Sequence, residues 1–504
     1  MAEPIRRVVI VGGGTAGWMA AATLARYSET TQPLNITLVE SKNIGTVGVG
    51  EATVPSIVDF NRQLGIDEVD FIRSTNATFK LGIRFENWYQ QQHSFFHPFS
   101  AFGTELDQVG FHHYLHRMTT LGVSINLEDF SFACELAKLG RFAQPHPYPA
   151  TPLADYSYAY HFDAHLYGNY LKKYAIARQV NHVEAAVESV RQHPITGFIT
   201  SIVAQDGLQI EGDLFIDCSG FKGLLIEETL QTGYESWQHW LLCDSAFAIQ
   251  TERAGEITPY TRSIAMDAGW QWRIPLQHRS GNGHIFSSHF TSETKAKAQL
   301  LQSLTSKSLN EARKISFTPG RRKQIWHKNC FAIGLASGFL EPLESTSISL
   351  IQSALAKLLS FFPNSSFNEA DIAEVNRLHN TELEQIRDFL ILHYKLSQRN
   401  DSDFWRYCRA MPIPDTLAHK IDVYKSRGHL VMYQQESFQE ASWLAMYNGF
   451  NIKPARYDER ANKVPPQVLL QKLEQMRQAI VEAAQNPMKH ADFIQVHCQA
   501  NSCR

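Results

Sequence analysis

The first forty residues follow the order of a strand, a tight turn and a helix. In "RRVVIVGGGTAGWMAAATLARY", the consecutive apolar residues Val8–Val11 predict a buried strand. The glycines after them predict a turn, and the Ala- and Leu-rich segment that follows predicts a helix. "NITLVES" (Asn35–Ser41) predicts the next parallel strand. A glycine-rich segment then leads to a helix that is predicted to begin near Ser56.

The middle of the chain predicts mostly strands, and its end predicts mostly helices. Residues 93–160 are rich in His, Pro, Tyr and Phe and have little periodicity, which predicts long ordered loops over a pocket. Residues 161–175 predict a helix, and several strands with tight turns follow it. In "QWRIPLQHRSGNGHIFSSHF", two strands are predicted on either side of a turn at "SGNG", residues 280–283. The pattern is mostly helical from Asn368 onward.

Composition limits the possible functions. The chain has 504 residues, of which 44% are hydrophobic and 19% charged, so a large core is expected. A formal net charge of -3 predicts neither a nucleic-acid partner nor a membrane surface. Seven cysteines occur without a CxxC pair, which argues against a disulfide framework or a zinc site and favours a reducing compartment. A cytoplasmic location and no metal are therefore expected.

A dinucleotide site is predicted between the first strand and the first helix. Gly12, Gly14 and Gly17 form a G-x-G-x-x-G pattern, which allows a pyrophosphate to approach the N–H groups of a helix terminus. Glu40 ends the following strand, where its carboxylate can accept from ribose hydroxyls. A structural glycine turn is the alternative. FAD is favoured over NAD because two further strand-to-glycine segments, "LFIDCSGFKGLLI" and "FAIGLASGFLEP", occur far along the chain.

Together these elements predict an α/β fold. Residues 1–360 are expected to form a Rossmann-like FAD-binding module with interleaved strands and pocket loops, and residues 361–504 a mainly helical lobe on its substrate side. The chain has one G-x-G-x-x-G pattern and therefore no evident second Rossmann site for NAD(P)H. Reducing electrons are accordingly expected from outside the protein.

Five motifs in order along the chain resemble the flavin-dependent tryptophan halogenases. "GGGTAGW" (Gly12–Trp18) is similar to the family's FAD fingerprint, and "GVGEATVP" (Gly48–Pro55) to its flavin-contacting strap. "FKLGIRFENW" resembles the region of the catalytic lysine, "GWQWRIPL" carries the W-x-W-x-I-P signature, and "GFLEPLEST" resembles the segment with the catalytic glutamate. The resemblance runs from Val8 to about Pro454. It implies a flavoprotein monooxygenase-like fold.

The resemblance also implies a reaction and a cofactor site. Enzymes of this family use reduced FAD and O2 to convert chloride or bromide to hypohalous acid, which travels inside the protein to an electron-rich ring. The FAD-binding residues that it implies are Gly12, Gly14, Thr15, Ala16, Gly17, Glu40, Gly50, Glu51, Ala52, Thr53 and Leu335.

The implied catalytic residues are Lys80, Glu344 and Ser345. A lysine in a dry channel can donate a hydrogen bond to the hypohalous acid or form a haloamine, and burial lowers a lysine pKa. The alternative for Lys80 is a structural ion pair, for example with Glu86. Glu344 can orient the oxidant or accept the proton that leaves the ring. Its alternative role is that of an acid near the start of a helix predicted to begin around Ser345.

Thr346 and Ser347 match the family's halide site, which is built from backbone N–H groups near a helix start. The family usually has glycine after the threonine, and this chain has Ser347, which still offers its N–H. Trp270, Trp272, Ile274 and Pro275 match the barrier that keeps substrates from the flavin. Two tryptophans separated by one residue share one side of a strand. A plain core pair is the alternative.

For the substrate pocket, the resemblance implies His97 and Phe99, with Trp443 as a further candidate; ordinary packing is the alternative for each. Tryptophan-specific members carry a Tyr- and Glu-bearing lid, and residues 436–454 show no matching Tyr-Tyr pair followed by a glutamate. A more open site is therefore expected. Free indole or a larger indole-bearing molecule would fit it.

The leading hypothesis is an FADH2-dependent halogenase of an indole-like ring. Its partners would be a separate NAD(P)H-dependent flavin reductase and a small aromatic substrate, and a homodimer is compatible with the sequence. A flavin-dependent monooxygenase and a non-catalytic flavin-binding protein are the alternatives.

Overall fold

The computed structural model describes residues 3–41, 50–253 and 255–500. The predicted N-terminal strand, turn and helix are confirmed, as is the helix that begins at Ser56. Gly48 and Val49, the first residues of the predicted strap, lie outside the described residues, and so does Cys503. In the described part, no helix is both long and apolar enough to span a membrane.

The strands in chain order are β1 (Arg7–Val11), β2 (Asn35–Glu40), β3 (Gly50–Ala52), β4 (Thr78–Lys80), β5 (Gly82–Glu86), β6 (Ser94–Pro98), β7 (Ala159–Asp163), β8 (Asn181–Glu184), β9 (Val187–Gln192), β10 (Ile199–Ala204), β11 (Gln209–Glu211), β12 (Leu214–Asp217), β13 (Tyr234–Ser236), β14 (Ser245–Glu252), β15 (Thr261–Met266), β16 (Gly269–Pro275), β17 (Arg279–Phe286), β18 (Arg313–Ser316), β19 (Gly320–Arg322), β20 (Trp326–His327), β21 (Cys330–Ala332) and β22 (Gly338–Phe339).

The α-helices are α1 (Thr15–Thr30), α2 (Ser56–Gln63), α3 (Glu68–Thr75), α4 (Phe111–Thr120), α5 (Phe132–Leu139), α6 (Ala164–Ile176), α7 (Glu293–Ser303), α8 (Ser347–Ser360), α9 (Glu369–Lys395), α10 (Asp403–Ala410), α11 (Asp415–Arg427), α12 (Glu440–Gly449), α13 (Pro466–Ala484) and α14 (His490–His497).

A six-stranded sheet carries the predicted dinucleotide site. Its order is β20-β21-β12-β1-β2-β8, and β1 lies parallel to both β2 and β12. The residues of β1 are buried except Arg7. Val8 and Ile10 pack in a core with helices α1 and α8, whereas Val9 and Val11 pack in a second core with strand β10. The carboxyl ends of β1, β12 and β21 meet at one edge, so the three glycine turns that follow them lie side by side. This Rossmann-like arrangement agrees with the predicted α/β fold.

Two further sheets bring the other motifs together. A seven-stranded sheet has the order β18-β14-β17-β16-β15-β5-β6 and contains the tryptophan pair of β16. A small sheet has the order β3-β7-β4, with both outer strands antiparallel to β7. The strap strand β3 and the lysine strand β4 therefore share β7 as a neighbour, although they are separated in sequence by two helices.

Two predictions about local structure are wrong. Residues 93–160 contain β6, α4 and α5 as well as loops. The "SGNG" segment lies inside β17, and residues 276–278 make the turn instead. The glycine there serves packing, since a Cβ at Gly283 would lie 2.0 Å from the Trp272 ring. A glycine that makes room for a ring has the same sequence signature as a turn glycine.

Candidate active site

The turn between β1 and α1 is shaped for close approach of a ligand. Gly12 has φ +115°, and a Cβ on it would lie 2.2 Å from the Cys218 carbonyl oxygen. Helix α1 has Gly14 at its N-cap, so the N-cap residue has no side chain to occupy the N–H groups of the first turn. A Cβ on Gly17 would lie 1.8 Å from the Gly12 carbonyl oxygen, so Gly17 permits close packing of helix on turn. The turn therefore fits a pyrophosphate.

Glu40 lies at the end of β2 beside this turn. Its Oε1 accepts from Lys172 Nζ at 2.9 Å and from His182 Nε2 at 2.7 Å. Its Oε2 faces Gly13, where a Cβ would lie 1.6 Å away. The ligand atoms of Glu40, His182 and Glu184 lie within 4.8 Å of one another, but the Lys172 ammonium on Glu40 disfavours a metal cation there. The position of Oε2 fits a ribose hydroxyl instead.

A cavity of about 450 Å³ follows the turn into the protein. From β1 and β2 it reaches the strap, the turn after β21 and the tryptophan strand β16. The predicted FAD-binding residues that line it are Gly12, Gly14, Thr15, Ala16, Glu40, Glu51, Ala52 and Leu335. Burial raises the pKa of Glu51 to about 8, with a further contribution from the negative charge of Asp163. The Glu51 carboxyl is therefore mostly neutral at pH 7.

The predicted barrier residues lie on the far wall of this cavity. Trp270, Trp272 and Ile274 line it together, as expected for alternate residues of one strand face. The two indole rings are 6.1 Å apart between centroids. Pro275 acts through its backbone, because its carbonyl oxygen accepts from Thr78 Oγ1 two residues before Lys80.

Lys80 is completely buried. Its Nζ donates to the Thr53 carbonyl oxygen at 2.8 Å and to Ser345 Oγ at 2.9 Å, and it lies 5.1 Å from the centroid of the Phe99 ring. Burial lowers the pKa of Lys80 to about 7, although the negative charge of Glu344 opposes the shift. Thr53 thereby connects the strap to the lysine. Phe99 lies against Lys80, as expected if Phe99 lines the substrate pocket.

The alternative ion pair between Lys80 and Glu86 is wrong. Glu86 instead accepts from the Arg262 guanidinium at 2.7 and 2.8 Å, on the neighbouring strand β15.

Glu344 is also buried, and two histidines hold it. His97 Nδ1 lies 2.9 Å from Oε2, and His393 Nε2 lies 2.7 Å from Oε1. Burial alone would raise the pKa of Glu344, but the electrostatic attraction and hydrogen bonds of His97 and His393 outweigh it and lower the pKa to about 2. His393 Nδ1 bonds the Phe389 carbonyl oxygen at 2.8 Å. Both ring nitrogens of His393 thus face acceptor oxygens, so a proton lies between His393 Nε2 and Glu344 Oε1.

Ser345 stands between the cavity and the lysine. It lines the cavity and accepts from Lys80, and it has φ +62° directly after the short helical turn Pro342–Glu344. This left-handed residue turns the chain so that Glu344 lies against the histidines while Ser345 faces Lys80. Helix α8 begins at Ser347, two residues later than predicted.

The predicted halide residues form the start of α8. Thr346 is the N-cap with φ -82°, and among the described residues no group bonds its buried Oγ1. Ser347 is the first helical residue and lines the cavity. The positive φ of this segment falls on Ser345, so the helical backbone at position 347 does not require glycine. A helix start beside the cavity suits an anion.

Of the predicted pocket residues, His97 lies at Glu344, Phe99 lies at Lys80, and Trp443 packs in a buried aromatic cluster. His97 bonds Glu344 directly and lies 6.4 Å from the Phe438 ring. Trp443 is buried, packs edge-on against Phe389 at 5.0 Å, and donates from Nε1 to Glu436 Oε2 at 3.0 Å.

Glu436 begins residues 436–454, the segment that corresponds to the lid predicted to bind tryptophan in tryptophan-specific members of the family. It accepts from Lys420 Nζ at 2.5 Å in addition to Trp443, and both members of this ion pair are almost fully buried. The carboxylate of Glu436 is thus neutralised inside the protein.

Two important residues were not predicted from the sequence. His393 holds Glu344, and Glu341 accepts from the Trp270 indole. The only signal for His393 was a histidine in the apolar run "FLILHY", which is typical of a buried histidine with a partner. No sequence signal separated Glu341 from Glu344.

A dinucleotide cleft on a Rossmann-like sheet, continuous with an aromatic wall, is typical of a nucleotide-dependent oxidoreductase. Comparisons with known proteins give the family. The family model described as tryptophan halogenase matches residues 7–466. The 7-chloro-L-tryptophan 6-halogenase KtzR of Kutzneria sp. (strain 744) is 37% identical over 448 residues, covering 83% of this chain and 85% of KtzR.

Two solved structures are similar over nearly their full length. BrvH, a flavin-dependent halogenase from Brevundimonas sp. BAL3, superposes with a TM-score of 0.95 at 46% identity, covering 98% of this chain and 99% of BrvH. Xcc4156, a flavin-dependent halogenase from Xanthomonas campestris, has a TM-score of 0.95 at 44% identity, covering 99% of this chain and 100% of Xcc4156.

The chain belongs to the tryptophan halogenase family and is a flavin-dependent halogenase, an oxidoreductase. The predicted fold class and enzyme class are confirmed, and neither a flavin monooxygenase nor a non-catalytic flavin-binding protein is favoured.

Proposed function

We propose that this protein uses FADH2, O2 and chloride or bromide to halogenate a neutral, indole-type aromatic. The observation that carries the proposal is the position of Ser345. It lines the cofactor cavity and bonds Lys80, and it follows Glu344 in the chain. One short segment thereby joins the cofactor cleft to a dry lysine and a buried acid.

The residues that line the cleft would bind FAD and keep the organic substrate away from it. The glycine turn and the start of α1 would hold the pyrophosphate, Glu40 the ribose, and the strap and Leu335 the flavin ring. Bound reduced FAD supplies, with O2, the two-electron oxidation that converts halide to hypohalous acid. Trp270 and Trp272 keep the organic substrate away from the cleft by bulk.

Lys80 would receive the oxidant beside Ser345, which lines the cavity and accepts a hydrogen bond from Lys80. With a pKa near 7, Lys80 is available both as an ammonium that donates a hydrogen bond and as an amine that can carry the halogen. Its bonds to Thr53 and Ser345 fix the Nζ position, so the halogen is presented in one direction.

Glu344 would act as the proton acceptor. Its low pKa keeps it ionised at neutral pH, and the proton lost from the ring after halogen attack can pass to the carboxylate held by His97 and His393. Thr346 and Ser347 would hold the halide at the start of α8, where backbone N–H groups favour an anion.

The internal pairing of Glu436 supports an uncharged substrate. Its carboxylate is occupied by Lys420 and Trp443, so it is not offered to the ammonium of an amino acid. Free indole or an indole without a nearby charged group therefore fits better than tryptophan. His97, Phe99 and Trp443 would surround that ring.

The proposal includes partners and a location. A separate NAD(P)H-dependent reductase supplies FADH2, since only one G-x-G-x-x-G turn is present in the sequence. The protein works without nucleic acid or membrane, as a monomer or a homodimer. A cytoplasmic location is supported by the six described cysteines, which are all free and buried.

A product-mass assay tests the proposal. The protein is mixed with FAD, a flavin reductase, NADH, O2 and either bromide or chloride, and is offered indole and tryptophan separately. Halogenated indole as the main product supports the proposal. A product that gains only one oxygen would indicate a monooxygenase, and the absence of product with intact FAD binding would indicate a binding protein.

A further inference from the structure

A buried carboxylate lies behind the Trp270 indole. Trp270 Nε1 donates to Glu341 Oε2 at 2.9 Å, and the Tyr394 hydroxyl donates to the same oxygen at 2.6 Å. All three side chains are nearly inaccessible to solvent. Hydrogen bonds to a carboxylate in dry surroundings are directional and costly to lose. The plane of the Trp270 indole is therefore set by Glu341 as well as by apolar packing.

Glu341 acts on the cleft through Trp270. Its neighbours Leu340 and Pro342 line the cavity wall together with Trp270, whereas the Glu341 carboxyl lies behind that wall against Trp270 and Tyr394. This position gives Glu341 no direct contact with a ligand in the cavity. It can influence the cavity only by holding the indole that forms its surface.

Helix α9 connects this carboxylate with Glu344. The consecutive residues His393 and Tyr394 each donate to a different acid of one short segment, His393 to Glu344 and Tyr394 to Glu341. The segment between the acids is a single helical turn, Pro342–Glu344. Adjacent residues of α9 therefore hold both acids in place.

We propose that Glu341 is a positioning residue that sets the orientation of the Trp270 indole at the cofactor cleft. The His393–Tyr394 pair keeps this orientation in register with Glu344. The inference rests on the proposed function, because it assigns Glu341 to the separation of cofactor and substrate. As a consequence, Glu341 determines which fraction of the oxidant reaches Lys80 and which fraction escapes from the cleft without halogenating the substrate.

The state of Glu341 is consistent with this role. Burial raises its pKa to about 7, against the hydrogen bonds from Tyr394 and Trp270, and among the described residues no group bonds its Oε1. A proton on Oε1 leaves Oε2 free to accept both donors, so the hold on Trp270 survives protonation. An apolar side chain in its place would leave two buried donors unpaired, which is costly.

The experiment compares coupling, which is the halogenated indole formed per O2 consumed, in four variants of the full-length protein loaded with FAD. Glu341→Leu removes the oxygen that accepts from both Trp270 and Tyr394, Glu341→Gln keeps one amide oxygen as an acceptor, and Tyr394→Phe removes only one of the two donors. Glu382→Gln is the matched control, because it removes a largely buried carboxylate of α9 that pairs with Lys357 away from Trp270. The readouts are halogenated indole formed per O2 consumed, peroxide released, and melting temperature.

We expect Glu341→Leu to lower the product formed per O2 by about threefold or more, with a matching rise in peroxide. Glu341→Gln and Tyr394→Phe should lose less, in that order. Glu382→Gln should lower only the melting temperature. Equal coupling in Glu341→Leu and the wild type, or an equal loss in Glu382→Gln, would overturn the inference.

A double-mutant cycle with Trp270→Phe separates positioning from damage to the fold. If Glu341 acts through Trp270, Glu341→Leu should have little further effect on coupling in the Trp270→Phe background. Additive effects would show that Glu341 acts elsewhere. The same cycle is read in the quenching of tryptophan fluorescence by bound FAD, which needs no turnover. If the wild type formed no halogenated product, the proposed function would fail while the fluorescence cycle still decided the role of Glu341.

Discussion

The cofactor cleft is adjacent to the buried site formed by Lys80, Glu344 and their hydrogen-bond partners, which we call the chamber. The two sites are built in different ways. The cleft is formed by backbone at the ends of neighbouring parallel strands, with glycines such as Gly12 and Gly334 at positive φ. The chamber is formed by buried ionisable side chains and their hydrogen-bond partners. Lys80, Glu344 and His393 come from three distant parts of the chain. Cofactor binding is thus specified locally by backbone shape, whereas reactivity depends on hydrogen bonds between buried side chains from distant parts of the chain.

The largest effect is expected on the chamber side, from Glu344→Gln. The amide keeps the shape but cannot accept the ring proton, so halogenation should fall by about 10²–10⁴-fold. FAD affinity should stay within about twofold of the wild type, because Glu344 lies outside the cleft lining. Initial rates and fluorescence titration measure the two quantities. A rate loss below tenfold would remove Glu344 from the chemistry.

The opposite pattern is expected for the cleft, from Gly12→Ala. The new Cβ would meet the Cys218 carbonyl oxygen at 2.2 Å in a backbone conformation that disfavours side chains. FAD affinity should therefore fall by about ten- to a hundredfold, as measured by titration. Gly168→Ala in α6 is the matched control, since nothing lies within 4 Å of its Cβ position. Similar affinities in both variants would contradict the close-approach role of Gly12.

A smaller effect is expected from His393→Gln, and it concerns pH. His393 helps to lower the pKa of Glu344 to about 2, so the wild-type carboxylate stays ionised throughout the assay range. Without His393 that pKa rises toward its usual value near 4.5, and activity should decline as pH falls through it. The ratio of activity at pH 4 to that at pH 7.5 should fall by about fourfold.

His379→Gln is the control for this pH profile, because His379 is also buried in α9 but makes no hydrogen bond among the described residues. An unchanged profile in His393→Gln would show that His393 does not tune Glu344.

An effect of a different kind is expected on stability, in Lys80→Met. Burial lowers the pKa of Lys80 from 10.5 to about 7, so folding discharges the lysine at any pH between these values. The resulting cost is complete below pH 7 and disappears as pH approaches 10.5. The free energy of unfolding of Lys80→Met should therefore exceed that of the wild type by on the order of a few kcal/mol at pH 7, with a smaller gap at pH 9.5. Urea denaturation measures the difference in free energy of unfolding between the variant and the wild type at each pH. A difference that does not change with pH would contradict the lowered pKa of a buried Lys80.

The same contrast explains what the sequence can predict. Val8–Val11, the glycine turn and Glu40 carry local signals, and the structure places them as expected. Lys80 and Glu344 were identified only by resemblance, because nothing within their own segments shows that a serine or a histidine far along the chain will contact them. The turn expected at "SGNG" was wrong because Gly283 accommodates Trp272, a partner on another strand.

The chamber is tested most directly by measuring product formation and FAD affinity together in Lys80→Ala. We expect formation of halogenated indole to fall below about one-thousandth of the wild-type rate, while the dissociation constant for FAD changes by less than about threefold. Halogenation at the wild-type rate by Lys80→Ala, or a loss of FAD binding as large as the loss of product, would contradict this expectation.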